Sequence, residues 1–573
     1  MERIYSMKKF ISILLCFSIV FSFASLTVSA ESDSDDLSIA VASDLHYNIP
    51  HEVLEGSIDD DIYWYANRRA AMEDESGFII DEFLNKCAED DSCEYVLISG
   101  DLADHGRTIP QEHYDVAEKL AAFEEKTGKS VFVIDGNHDL GANCETDAAK
   151  FKEIYADFGY DLALTVDEDT CSYTANLGEK YRLIALDSCD YTKSTEDGMT
   201  TEKLNWVRQQ ANLAKKDGRY PILMMHHNIL DHLPAQRILS RNFIVRFHYT
   251  TSDLFANWGI KAVFTGHEHC SDVTVYTSSL GNKIYDFATT SLTMYPIEFR
   301  KVSFTEETIT YTAETIDKID TDALTSVVSG YTDEHIRLMN NGFNEYAKGF
   351  LKAGIKYRLL RSLQTEQMGI GEDSIFYDLV STAVNGLTDI LEMPLYGENS
   401  VSELAAKYNI VIPESDYENP WDLATELVAV HFAGGEAYDL NSAEVTILLR
   451  VVNLILKDDL SSVSDDFFLK AANMLLGKQD NSGITKDIVS RLTSNFGAVS
   501  PGMYFLVALV SPLLYEFAYD KDGVDDNNGT IEGYGSSSND ARSNIMAKIS
   551  NLSATITLYF SFFIEIVSKI FTK

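Results

Sequence analysis

The sequence predicts an α/β sandwich of mixed sheets over residues 37–316, followed by an all-α C-terminal domain over residues 317–573. Three observations carry that expectation. Short continuous apolar runs alternate with helix-like segments from Leu37 to about Ile316, the pattern of strands buried on both faces. The last runs of this stretch succeed one another with no helix between them, so antiparallel pairing joins the parallel kind. Beyond Asp317 the periodicity is helical almost throughout.

Taken in order, the N-terminus reads as a secretory signal over residues 1–30: Lys8 and Lys9, an apolar stretch from 10 to 28, and the small-residue triplet Val28-Ser29-Ala30. An acidic linker runs from there to Asp36, and the mature protein is expected to be secreted or extracellular. Strands are expected at 38–42, 95–99, 131–135, 181–186, 222–225 and 262–265, with helices at 77–87, 111–126 and 202–215. The runs at 283–288, 300–304 and 308–312 alternate more strongly.

In the helical half, one long periodicity covers 334–363. Ser400 with Glu403, and Asn441 with Glu444, resemble capping boxes. Asn419-Pro420 opens a helix that stops at Gly434-Gly435, with proline at the start and glycine past the end. A further helix is expected over 465–476. Two stretches, 503–515 and 552–571, are unusually apolar; the first reads as a buried helix interrupted near Pro512. The second is short for a membrane crossing, and docking onto the helical domain or attachment to a membrane surface are its two readings. Between them, 520–532 is rich in Asp and Asn around Gly529, but the calcium-loop register would put Val524 at the first ligand position, which favours a solvated loop.

Composition bounds the function. The chain has 573 residues, enough for two folded units. Asp and Glu total 89 against 46 Lys and Arg, a formal net charge of -43. That balance repels polyanions, and no basic stripe offsets it, so nucleic-acid partners are disfavoured. Loss of the signal removes Cys16 and leaves Cys87, Cys93, Cys144, Cys171, Cys189 and Cys270, compatible with disulfides or with buried free thiols. No CxxC zinc pattern is present.

The chemistry lies just past the strand ends. The first strand leads into Asp44-Leu45-His46, the second into Gly100-Asp101-Leu102-Ala103-Asp104, and the third into Gly136-Asn137-His138-Asp139. The run at 222–225 leads into His226-His227-Asn228, and that at 262–265 into Gly266-His267-Glu268-His269. In open α/β sheets the crevice beyond the carboxyl ends of strands is where ligands sit. A mixed imidazole and carboxylate set suits divalent metals from manganese to zinc, and one carboxylate can bridge two ions about 3.5–4 Å apart. Gly100, Gly136 and Gly266 fit tight turns that aim these side chains. A single such pattern is weak; the ordered set is hard to produce by packing needs alone.

This ordered set resembles the calcineurin-like metallophosphoesterase superfamily over roughly residues 37–316, and the N-terminal fold is accordingly expected to be a metallophosphoesterase-type sandwich. The resemblance implies that Asp44, His46 and His269 hold one metal, and Asn137, His226 and His267 the other, with Asp101 bridging. It implies two divalent or trivalent ions such as Mn, Fe or Zn. His138 would contact the substrate phosphate and the leaving oxygen, Asp104 would orient His138, and Asp139 closes the Asn-His-Asp motif. Of the adjacent His226 and His227, the first past the apolar run is the expected ligand. Where some protein phosphatases of the superfamily carry an arginine after the Asp104 position, His105 stands here, a weaker phosphate contact. The implied activity is hydrolysis of a phosphate mono- or diester by attack of a metal-bridging hydroxide.

Asp187, at the end of the run 181–186, either supports the site or makes a surface turn with Ser188. His51, Tyr63, Trp64 and Tyr65 either line a substrate pocket or simply pack. Cys189 and Cys270, each near a candidate residue, allow a bridge. Two other functions stay open from sequence: a nuclease of the same superfamily, which the acidic balance opposes, and a surface-binding protein whose helical domain does the work.

Overall fold

The computed structural model describes residues 36–51, 70–192, 197–232, 236, 242–362, 388–436, 438, 442–457, 520 and 523–536. The expected signal, the residues Tyr63 to Tyr65, the helix at 465–476 and the apolar stretches 503–515 and 552–571 lie outside them. Among the described residues no helix is long and apolar enough to cross a membrane.

The chain opens with β1 (Leu37–Ala42), α1 (Ser76–Glu89), β2 (Tyr95–Ile98), α2 (Pro110–Thr127) and β3 (Ser130–Val133). It continues through α3 (Ala148–Ile154), β4 (Thr165–Val166), β5 (Tyr173–Leu177), β6 (Tyr181–Leu186), α4 (Thr201–Lys216) and β7 (Tyr220–Met225). Then come α5 (His248–Asn257), β8 (Ala262–Thr265), β9 (Asp272–Thr277), β10 (Lys283–Ala288), β11 (Glu298–Phe304) and β12 (Thr308–Thr315). The helical half contains α6 (Thr321–Val327), α7 (Asp333–Asn341), α8 (Phe343–Ser362), α9 (Val401–Lys407), α10 (Pro420–Phe432) and α11 (Ala443–Lys457). A last strand, β13 (Asn528–Glu532), closes the described chain.

Two mixed sheets form the sandwich. One has the order β13-β12-β11-β1-β2-β3, the other β4-β5-β6-β7-β8-β10-β9. In the first, β1, β2 and β3 run parallel while β11, β12 and β13 add antiparallel strands. In the second, β6, β7, β8 and β10 are parallel, while β4, β5 and β9 are antiparallel, with β4 and β9 at the edges.

The apolar runs are continuous because both faces of their strands are covered. Leu183, Ala185, Ile222, Met224, Ala262 and Phe264 point into the core between the sheets, packed with Val41, Leu97 and Phe132. Their neighbours Ile184, Leu186, Leu223, Met225 and Val263 point the other way, onto Leu204, Val207 and Ala211 of α4 and Leu254 and Phe255 of α5. Alternation of side chains along a strand produces this partition.

The helical half builds its own smaller core from Leu423, Leu427, Val445, Ile447, Leu448 and Val451, among others. It joins the sandwich through Met294, Ala70, Leu351 and Ala429. Asn419 caps α10 by accepting from the Asp422 amide at 2.9 Å, and Pro420 fills the first turn. Ser400 caps α9 on the Glu403 amide; Glu403 reaches the Asn399 amide, so the reciprocal half of the box is displaced by one residue. Asn441 lies outside the described residues, and the Ser442 hydroxyl caps α11 through the Val445 amide.

Three expectations need correction. The single helix over 334–363 is two, α7 and α8, broken at Gly342, which ends α7 with its amide on Leu338 O. The all-α expectation for the C-terminal half fails at 528–532, which pairs antiparallel with β12 from Thr308↔Glu532 to Thr312↔Asn528. Gly529 is needed there because a Cβ would collide with the Tyr311 ring. The preceding residues are not a solvated loop either. Asp526 is buried and accepts from the Val273 amide, and its carbonyl takes Arg300 Nη1 at 2.5 Å. Arg300, itself buried, also donates to Ser271 Oγ and Ala288 O, tying both sheets to this return.

Candidate metal centre

The ends of β1, β2, β3, β7 and β8 converge, and the turns beyond them carry the candidate side chains. Five of these residues sit in the left-handed region: Asp44 (φ 50°), His46 (39°), Asp101 (49°), His267 (69°) and His269 (63°). Such conformations are costly for residues with a Cβ and persist only where surrounding structure imposes them, as at functional sites. Hydrogen bonds across the loops do so here. The Asp44 amide donates to Gly100 O and that of His46 to Asp101 O, while the His267 amide donates to Asp44 Oδ2 at 2.9 Å. Ser43 Oγ donates to the same oxygen at 2.6 Å, and Ser291 Oγ to Asp44 O at 2.8 Å.

The glycines act in two ways. Gly100 has φ 103°, and a Cβ there would stand 2.7 Å from His226 Nδ1. Gly136 and Gly266 are not in the left-handed region; they are small because loops cross over them. A Cβ at Gly136 would collide with the amide and carboxylate of Asp101, and one at Gly266 with Ser43 and the Asp44 carboxylate.

Two triplets of donors result. In one, Asp44 Oδ1 lies 3.2 Å from His269 Nε2 and 3.7 Å from His46 Nε2, and the two imidazole nitrogens are 3.2 Å apart. In the other, His226 Nε2 lies 3.3 Å from Asp101 Oδ2, 3.1 Å from His267 Nδ1 and 3.1 Å from Asn137 Oδ1. Asp101 stands between them, its Oδ2 also 3.8 Å from His46 Nε2. His227 instead places Nδ1 2.9 Å from Ser188 Oγ.

The donor set fits metal ions. Asp44 Oδ1 is buried and takes no hydrogen bond from the described residues, and imidazole nitrogens face one another at hydrogen-bond distance. Carboxylate, amide oxygen and imidazole are the ligands of zinc, iron and manganese sites. Burial pushes both carboxyls up, yet His269 and His226 hold Asp44 below its usual range, and His226 and His138 hold Asp101 well below it. Burial, with the neighbouring His227 and His226, keeps His267 neutral. Neutral imidazole and ionised carboxylate are the ligating forms.

Around this core Asp104 faces two imidazoles, those of His46 and His138. The Asp104 carboxylate lies nearest His46, with Oδ1 2.8 Å from Nδ1, and 3.4 Å from His138 Nδ1. His138 Nδ1 instead donates to the Asp104 carbonyl at 2.8 Å. The His138 amide donates to Asp101 Oδ1 at 2.7 Å, and its side chain is 24% exposed at the crevice. Asp139 knots two loops by accepting from the amides of Gly136 (2.7 Å) and Ala103 (3.1 Å). His105 is more exposed, at 51%, and pairs with Glu112 Oε1 at 3.4 Å; this bond holds its imidazole above the usual value.

The remaining candidates spread out. Asp187 is buried, not part of a surface turn, and receives Lys203 Nζ at 3.1 Å. His51 pairs with buried Asp74 at 2.9 Å. The six described cysteines, Cys189 and Cys270 included, are unbridged. Three neighbours of the core carried no signal in the sequence. Met294 Sδ lies 3.0 Å from His269 Nδ1, Ser99 O lies 3.0 Å from His226 Nδ1, and the Phe243 ring stacks on His267 with centroids 4.0 Å apart. Met294 and Phe243 reach the site from spacing that no local motif encodes, and Ser99 contributes through its backbone carbonyl, which no side-chain pattern records.

Comparison with known proteins gives one family. Residues 37–271 match the model of the calcineurin-like phosphoesterases. Among solved structures, a dimetal phosphatase from Danio rerio is similar at 11% identity and a TM-score of 0.36, over 49% of this chain and 96% of that one. A purple acid phosphatase from yellow lupin, Lupinus luteus, is similar at 10% identity and a TM-score of 0.33, over 49% and 52%. A sulfate thiohydrolase from Thermus thermophilus is similar at 12% identity and 0.27, over 56% and 60%. No curated protein matches the chain.

Proposed function

Residues 37–271 belong to the calcineurin-like phosphoesterases, and from that premise we propose that the protein is an exported phosphoesterase with a two-metal centre, acting on phosphate monoesters or small diesters. One observation carries most weight: two donor triplets, Asp44-His46-His269 and Asp101-His226-His267, each within ligating span, with Asp101 between them. Asp44, His46 and His269 would hold one ion and Asn137, His226 and His267 the other, with Asp101 available to both. When bound, such a pair supplies Lewis acidity toward a phosphate ester and lowers the pKa of water.

The chain's own residues do the rest. His138 binds at the crevice with its Nδ1 proton committed to the Asp104 carbonyl, so Nε2 is the position that donates to a phosphate or leaving oxygen when protonated. Asp104 fixes His46 in the tautomer that presents Nε2, the carboxylate–imidazole support common to metal sites. His105, exposed and beside Asp104, is a secondary phosphate contact. Manganese, iron and zinc all suit the donors. The net charge of -43 favours a small substrate over a nucleic acid. Export rests on the N-terminal signal pattern, and membrane-surface attachment on the stretch 552–571.

The test is hydrolysis of paired chromogenic mono- and diesters by the full protein, with chelator, with restored Mn, Zn or Fe, and with Asp101→Ala and His269→Ala. Chelation should abolish turnover and metal restore it. Each variant should lose more than the roughly 10–100-fold that removal of a supporting residue costs. A folded, metal-loaded protein inactive on both esters, or activity indifferent to both substitutions, would refute the assignment.

A further inference from the structure

A second cluster of ligating groups lies behind the candidate centre and takes no part in it. Asp135 comes after β3, Cys171 precedes β5 and Asp187 comes after β6. Ligand atoms of all three lie within 4.8 Å of one another, and all three residues are buried. Asp187 is well served: its carboxylate accepts from the amides of Cys171 and Cys189 at 3.1 and 3.0 Å, from Tyr191 Oη and from Lys203 Nζ at 3.1 Å. Asp135 is not. Both of its carboxylate oxygens are buried and have no hydrogen-bond partner among the described residues.

A carboxyl in that position is expensive in either protonation state. Ionised, it adds an uncompensated charge beside Asp187; neutral, its hydroxyl proton has no acceptor. A cation removes the difficulty, because it is the partner both free oxygens lack. Charge balance also closes. Two carboxylates and the Cys171 thiolate carry three negative charges, Lys203 one positive charge, and a divalent ion supplies the other two. One thiolate with two carboxylates selects a thiophilic divalent cation over magnesium or calcium.

We propose that Asp135, Cys171 and Asp187 form a further metal site for a zinc-class divalent cation, distinct from the phosphoesterase centre. Its place explains its use. It joins the ends of β3, β5 and β6, so a bound ion clamps the turn that carries Gly136, Asn137 and His138. Binding displaces the thiol proton, and the Asp135 proton where that carboxyl is neutral, to solvent, with no redox change.

The two centres differ in one useful respect: the phosphoesterase donors include no sulfur. The full chain, stripped with chelator and reloaded with cobalt(II), should therefore show a near-ultraviolet thiolate-to-cobalt charge-transfer band that reports the further site alone. Cys171→Ser should abolish the band, and Asp135→Asn should lower bound cobalt by one equivalent. No band in cobalt-loaded wild-type protein would overturn the proposal, as would a band surviving in Cys171→Ser. The decisive wild-type spectrum does not depend on how the variants fold. The band is also independent of ester hydrolysis, so failure of one reading is distinguishable from failure of the other.

Discussion

The residues of the centre act through placement more than through identity. Aspartate and histidine are common; what is unusual is that five of them hold left-handed backbone conformations within one crevice. That arrangement was partly legible from the chain, because each ligand comes one to four residues after an apolar run, and a buried strand fixes the direction in which its end is delivered. Asp135 was hidden for the opposite reason: it reads as the last residue of a strand, and its lack of partners appears only once β5 and β6 pack beside it. The contact of Asp104 with His46 and the place of Met294 were likewise invisible, since both depend on contacts between loops. A buried histidine away from the donors offers a prediction at this scale. His113 donates from Nε2 to Asp139 O (2.8 Å) and, neutral, accepts at Nδ1 from Tyr155 Oη (2.9 Å). Burial pulls its imidazole from 6.5 down to about 4. Between those values the unfolded chain binds a proton that the folded chain refuses, so stability is complete above the upper value. It falls as pH drops toward the lower one, by up to about 1.4 kcal/mol per pH unit. Thermal unfolding at pH 7, 6 and 5 should show this slope, and His113→Gln should flatten it; an unchanged slope would assign the acid sensitivity elsewhere.

Among elements, those with a strong local signal were the ones the sequence announced. The central strands are apolar on both faces because sandwich core and helices cover them. Strands β4, β5 and β9 went unseen: β4 has two residues, β5 contains a polar Asn176, and β9 is an edge whose side chains are mostly half-exposed. Helix α5 was missed because its sequence, HYTTSDLFAN, is poor in helix formers. Tertiary packing of Leu254 and Phe255 overrides that weak propensity. Where caps are explicit, boundaries were readable. The α10 start, with Asn419 on the Asp422 amide and Pro420 in the first turn, is one such case. Asn419→Ala should cost about 1 kcal/mol of stability, the usual worth of an N-cap. Denaturant unfolding would register it as a lower midpoint at unchanged slope. No shift in midpoint would mean that the Lys348 and Lys352 pairs with Glu426 and Asp422 hold the helix without its cap.

At the scale of the whole molecule, the two halves are less separable than composition suggests. The return of residues 523–536 could not be read from sequence, because Asp- and Asn-rich segments signal turns and β13 is only five residues long. Yet Tyr534, from the far end of the chain, accepts from the amides of Lys261 and Ala262 and donates to Pro221 O, inside the second sheet. Residues 37–316 expressed alone should therefore be markedly less soluble and less stable than the full protein, with β12 left as an open edge. Fusing 523–536 after β12 through a flexible linker should recover part of the loss. A stable, soluble 37–316 fragment would show the return to be dispensable. The same strand has a consequence in time. Thr312 pairs with Asn528, and synthesis at roughly 5–20 residues per second separates their emergence by on the order of ten to forty seconds. For that interval the nascent sandwich presents a bare β-edge to its neighbours, a hazard that ends only once the growing chain has passed β13.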